Sequence, residues 1–157
     1  MNNILELILI TLIPALELRA SIPYGILKLG MGWITVVIVC SIANMIIAPV
    51  EYFFLDRIVH VFLRVKWIER MYRYYVEKTQ KKIHPQIEKY GEWAVAVFIG
   101  IPLPGTGVYT GTLAAYLLGL GYKKTIYAAI LGVLVAAVIV TIITLTGAEA
   151  FRWIIKV

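Results

Sequence analysis

Apolar residues fall into two kinds of run along the chain, broken and unbroken. Residues 4–30 are apolar but interrupted by Pro14, Glu17, Arg19, Pro23 and Gly25. Residues 31–55, MGWITVVIVCSIANMIIAPVEYFFL, form a longer run that suits the roughly 20 residues a helix needs to cross a bilayer. Pro49 is expected to bend its end, with Trp33 and Tyr52 at the two interfaces. Residues 93–121 are again apolar but broken by PLPGTG, and residues 125–147 predict the cleanest membrane-spanning helix of the chain.

Residues 56–92 differ, with nine Lys/Arg against five Asp/Glu. Leu55, Ile58, Phe62, Val65, Ile68, Tyr72 and Tyr75 recur at three and four, and Arg57, Arg64, Arg70 and Arg73 take the opposite face. That spacing predicts an amphipathic helix on the cytoplasmic surface, capped by Asp56 and broken at His84-Pro85. His60 and His84 are isolated and read as interfacial residues, not metal ligands. The organisation is one membrane domain: a first repeat over 4–55, the amphipathic linker over 56–92, a second repeat over 93–147 and a tail over 148–157.

The broken runs carry most of the information. As one straight helix, Trp93 to Leu120 spans about 42 Å, more than the roughly 30 Å of hydrocarbon. Pro102 and Pro104 each remove a backbone donor. A re-entrant hairpin turning at 102–107 fits better, and IPALELRASIPYGILKLG predicts a second one. Irregular backbone at such depth survives only when covered by protein or water, so two hairpins entering from opposite faces are expected to cover each other. The fold class is therefore all-α and integral to the membrane: two re-entrant helical hairpins plus two transmembrane helices as an inverted repeat, with a cytoplasmic amphipathic helix.

Composition agrees. The chain of 157 residues is 61% hydrophobic, above the roughly 45–50% of a soluble domain. The net charge of +6 reads as cytoplasmic loops facing anionic lipid, not as nucleic-acid binding. The opening MNNILELI has no basic stretch and contains Glu6, so no cleavable signal peptide is expected. Cys40 is a lone core thiol. With no nucleophile–base pair, metal cluster or phosphate loop in the sequence, no enzyme, metal or cofactor is expected.

Charges inside a bilayer are costly and point to function. Glu17 and Arg19 are two apart between Pro14 and Pro23, where an unwound backbone lets both line one cavity. Arg19 is expected to hold an anionic substrate group and Glu17 to exchange a proton. The half-helix starting after Pro102–Gly107 presents free N–H groups; Gly105 and Gly107 shape that end, and Thr106, Tyr109 and Thr110 offer hydroxyls. Glu51 is a secondary candidate near the headgroups, and Asn44 reads as a bond to a neighbouring helix.

The stretches PALELRASIPYGI and PLPGTGVYTGTLAAYLLG resemble the putative small multidrug export protein family of prokaryotic membrane proteins, over nearly the whole chain. That family is similar in layout to the DedA superfamily. The resemblance implies a multi-pass protein of the prokaryotic plasma membrane and proton-coupled transport of a polyprenyl-phosphate-like lipid carrier. Glu17 and Pro23 match the acidic and proline positions of the first hairpin pattern. The arginines usual around the second proline motif are missing from GIPLPGTG.

Three functions are expected to compete. The first is a small transporter or flippase for an anionic, phosphate-bearing lipid carrier; the second a proton-coupled exporter of lipophilic cations; the third a scaffold for envelope assembly that transports nothing. Membrane lipids, a small-molecule or lipid-phosphate substrate and a second copy of the chain, as a homodimer, are the expected partners. Lys/Arg counts fix loop 56–92 inside but give eleven inside whether the broken runs re-enter or cross.

Overall fold

The computed structural model describes residues 3–62, 78–103 and 105–155. All regular structure among them is helical: α1 (Asn3–Thr11), α2 (Glu17–Pro23, continuing as a π turn over Tyr24–Lys28), α3 (Trp33–Phe62), α4 (Lys78–Gly100), α5 (Val108–Leu117) and α6 (Tyr122–Ile155). Of the amphipathic helix expected over 56–92, residues 56–62 form the end of α3, 78–92 belong to α4, and 63–77 lie outside the described set.

The first broken run folds back on itself. The Thr11 and Ser21 hydroxyls lie 2.7 Å apart, and the Tyr24 hydroxyl donates to the Glu6 carboxylate. On one straight helix residues 6 and 24 would sit about 27 Å apart, so α1 and α2 run antiparallel about the turn at 12–16. Pro23 has no N–H to offer the Arg19 carbonyl. Just beyond it the ladder widens, with the Leu29 N–H reaching the Tyr24 carbonyl five residues back at 3.1 Å.

The second broken run does the same. The Ile99 side chain, almost fully buried, occupies the space a Cβ would take at both Gly111 and Gly132. A straight helix would hold residues 99 and 111 about 18 Å apart. Two glycines, one on α5 and one on α6, thus let three helices close on one isoleucine.

The two fold-backs meet α3 at different ends. Gly25 approaches so closely that a Cβ there would stand 2.8 Å from Val36 and 2.9 Å from Leu7, which ties the first fold-back to the N-terminal half of α3. Tyr52 packs edge-on against Tyr116 at 5.2 Å and Tyr122 at 5.3 Å, which places the end of α5 and the start of α6 beside its C-terminal half. Helix α6 completes the bundle against α2, α3, α4 and α5.

Helices α3 and α6 are apolar on the outside and partly polar on the inside. Ile34, Ile38, Ile42, Ile46 and Val50, four apart, are exposed on α3, while Ser41 and Asn44 are buried. On α6, Leu134, Val138 and Ile142 are exposed; Thr141 and Thr144 are buried and donate to their own helix at Ala137 and Val140. A helix that is apolar all round belongs in a core or a bilayer. The apolar stretches Trp33–Val59 and Tyr122–Gly147 are long enough to cross.

Two local expectations are corrected. Asp56 lies inside α3 and not at the start of a helix, because α3 continues to Phe62. His84-Pro85 does not break the chain: α4 runs through it from Lys78 to Gly100, since one missing hydrogen bond is a local loss in a helix of this length. The short arms α1 and α5, 9 and 10 residues long, reach only about 15 Å each.

Candidate functional site

The two turns meet, and Glu17 and Arg19 join them. Glu17 opens α2 at φ +47, the one non-glycine residue with positive φ among those described. That conformation is costly for an L residue and persists where its surroundings hold it. Here it aims the carboxylate at the start of α5. The Val108 N–H donates to Oε2 at 3.2 Å and the Tyr109 N–H to Oε1 at 3.4 Å. The Asn44 side chain adds a third hydrogen bond. A carboxylate at a helix N-terminus satisfies free donors and meets the positive end of the dipole. Gly107 is required by contact: a Cβ there would stand 2.5 and 2.6 Å from the two carboxylate oxygens.

Arg19 does the reciprocal work at the other end of the turn. Its guanidinium donates to the carbonyls of Leu103 at 2.8 Å, Ile101 at 3.2 Å and Ile99 at 3.4 Å, and to the Thr106 hydroxyl at 3.0 Å. Thr106 in turn donates to the Ile101 carbonyl at 2.6 Å. The cation thus closes the C-terminus of α4, where carbonyls lack helical partners. Charges two residues apart on α2 hold opposite ends of one seven-residue turn.

The structure therefore brings Glu17, Arg19, Thr106, Gly107 and Tyr109 together, but uses them on one another. The donors at the α5 N-terminus are taken by Glu17. Arg19 is committed to four oxygens, with only its Nε buried and unpartnered. The Tyr109 hydroxyl donates to the Leu12 carbonyl at 2.8 Å. Thr110 is exposed, its hydroxyl 3.4 Å from the Gly107 carbonyl. Gly105 sits exposed in the turn at φ +83, and Pro23 lies at the far end of α2 from Glu17.

Glu51 is the secondary candidate expected near the headgroups. It lines a cavity of about 380 Å³ with Leu12, Ile46, Ile47, Val50, Phe54 and Tyr109. Its Oε2 is buried with no hydrogen-bond partner. Every other lining side chain is aliphatic or aromatic, so one carboxylate faces a largely apolar wall. Tyr109 connects the two regions: its backbone N–H is held by Glu17 and its side chain lines the Glu51 cavity. Sequence reasoning did not single out Leu12, and it gave Asn44 and Glu51 only secondary places. The available signal was the polar stripe Ser41, Asn44 and Glu51, three and seven apart on an apolar helix.

An all-helical bundle with an apolar exterior, two helices long enough to cross and an ionisable group in an apolar cavity defines a helical membrane protein. A family model described as putative small multi-drug export protein matches residues 17–139, and the chain belongs to that family. That description names export and no catalytic activity. No curated protein and no solved structure matches the chain.

Proposed function

We propose that this protein exports lipophilic cations by exchange at Glu51. One observation carries the reading: a carboxylate with a buried, unpartnered oxygen stands alone in an otherwise apolar cavity of about 380 Å³. An ionised carboxylate in such a place is costly unless a proton or a cation neutralises it. A lipophilic cation supplies the charge and fills the apolar wall, and the Phe54 and Tyr109 rings offer faces that favour cations. Proton and cargo then compete for one group, which is the requirement for proton-coupled exchange.

The two fold-backs are read as re-entrant hairpins entering from opposite faces. Their short arms and their attachment at opposite ends of α3 support this, as does the contact between their tips. The same arrangement supports an inverted repeat over 4–55 and 93–147, in a prokaryotic plasma membrane. A homodimer is proposed because two crossing helices are few to seal a path from lipid. The anionic lipid carrier receives less support, because the anion-binding helix end is filled by Glu17 and Arg19 is engaged by four oxygens.

The test is transport by the purified protein in liposomes under an imposed pH gradient, with ethidium as cargo. Wild type moves the dye and Glu51→Gln does not. Undiminished transport by Glu51→Gln would remove the reading, and gradient-driven movement of a polyprenyl phosphate instead would restore the lipid-carrier one.

A further inference from the structure

The Glu51 cavity has a closed side and an open one. On the closed side Ile47 is buried, and Tyr109 is held at both ends by the first turn, its N–H by Glu17 and its hydroxyl by the Leu12 carbonyl. The four remaining apolar lining residues are open: Leu12 is 41% exposed, Ile46 55%, Val50 49% and Phe54 59%. Ile46, Val50 and Phe54 are four apart, so they continue the outward stripe of Ile34, Ile38 and Ile42 along α3. One row of side chains is therefore both the outer surface of the helix and the rim of the cavity. Glu51 follows Val50, about 100° further round the helix, where that row turns inward. Tyr52, two residues from Phe54 and so on the opposite side of α3, packs its ring edge-on against Tyr116 and Tyr122. The bundle side is filled by aromatic contact at the level where the outer side is open.

The cavity also has a definite depth. Ile46 is the middle residue of the apolar stretch Trp33–Val59, and the lining from α3 runs from Ile46 toward Phe54 only. Arg57 bounds it on that side, its guanidinium 5.3 Å from the centre of the Phe53 ring. An arginine there keeps its stem along apolar surface and its head in the wet zone. From Ile46 to Arg57 is about 16 Å along the helix, which matches one leaflet, half of the roughly 30 Å of hydrocarbon. The Lys/Arg excess of 56–92 assigns that leaflet to the cytoplasmic side.

We propose that the cavity opens sideways into the cytoplasmic leaflet, between the first turn and α3, and takes its cation from lipid and not from water. A lipophilic cation rests with its apolar body in hydrocarbon and its charge toward the headgroups, where anionic lipid of the cytoplasmic leaflet holds it. From there it meets Phe54 and Val50 with its apolar surface still covered. Glu51 supplies the counter-charge one residue inside the rim. Selection for lipophilicity then precedes binding, because an ion without an apolar body does not dissolve in the leaflet that feeds the mouth. This inference rests on the reading that Glu51 takes cationic cargo.

Nitroxide accessibility in proteoliposomes tests the route. In a Cys40→Ala background the label is attached through Val50→Cys or Ile46→Cys at the rim, and through Ile38→Cys on the same stripe away from the cavity. At all three positions oxygen, which concentrates in hydrocarbon, should collide with the label, and a water-soluble nickel complex should not. Saturating tetraphenylphosphonium should remove most of the oxygen collision at the rim and none at position 38. Entry of the nickel complex at the rim, with the tetraphenylphosphonium effect intact, overturns the lipid route while the Glu51 reading stands. Exclusion of both reagents at the rim but not at position 38 means that a second copy covers the mouth, and overturns it too. So does the absence of any tetraphenylphosphonium effect at both rim positions when the unlabelled protein binds that probe. An unlabelled wild type that binds none removes the cation reading itself. The leaflet is read from Arg57→Cys, which should react with an impermeant maleimide only after cells are opened; labelling in intact cells would put the mouth in the outer leaflet and overturn the assignment.

Discussion

The turn-to-turn junction and the Glu51 interior sit side by side and treat their polar groups in opposite ways. At the junction, Glu17 receives three hydrogen bonds and Arg19 makes four. Further along α3, Glu51 keeps a buried oxygen without a partner. The lesson is that intramembrane charge has two uses. Satisfied charge holds irregular backbone where no water is available to do so; unsatisfied charge is the part left for a ligand. Glu17 and Arg19, the residues most conspicuous in the sequence, are hydrogen-bonded at the junction.

That contrast is open to attack by substitution. The largest effect is expected from Arg19→Met, which removes the charge-assisted hydrogen bonds to Ile99, Ile101, Leu103 and Thr106 across the junction. A loss of about 3 kcal/mol in unfolding free energy is expected, measured by denaturation in detergent. Were this variant as stable as wild type and defective only in transport, Arg19 would be a substrate residue after all. Gly107→Ala comes next, because its Cβ would displace the Glu17 carboxylate; overpacking of this kind costs about 1–3 kcal/mol, read in the same experiment. Glu17→Gln keeps the shape but loses the charge at the helix terminus, for about 1 kcal/mol. Thr110→Val, at an exposed position with one long local contact, should change stability by less than about 0.5 kcal/mol and leave transport intact.

Much of the fold was legible because it rests on local patterns. The unbroken apolar runs became α3 and α6, and PLPGTG became a turn, since proline and glycine act within a few residues of themselves. The meeting of the two broken runs was also readable, from the rule that buried irregular backbone needs cover. The hydrogen bonding of Glu17 and Arg19 was not. Their partners are backbone groups at Ile99–Leu103 and Val108–Tyr109, at least 80 residues away in sequence, and backbone carbonyls and amides leave no trace in residue type. The surroundings of Glu51 were hidden for a related reason. Its place after Pro49, near the expected cytoplasmic end, suggested headgroups; the cavity it lines takes Leu12 and Tyr109, brought in by the two turns. The stretch around Asp56 was taken for the start of a surface helix because its own charges obey that period; the continuity of α3 through it prevailed.

The central claim is that bound cation meets Glu51 and not Glu17. Equilibrium binding of tetraphenylphosphonium to wild type, Glu51→Gln and Glu17→Gln, each verified as folded, tests it most directly. The account predicts at least a tenfold loss of affinity, about 1.4 kcal/mol, for Glu51→Gln, and affinity within about twofold of wild type for Glu17→Gln. Loss of binding in Glu17→Gln with binding preserved in Glu51→Gln would contradict it and move the site back to the junction between the two turns.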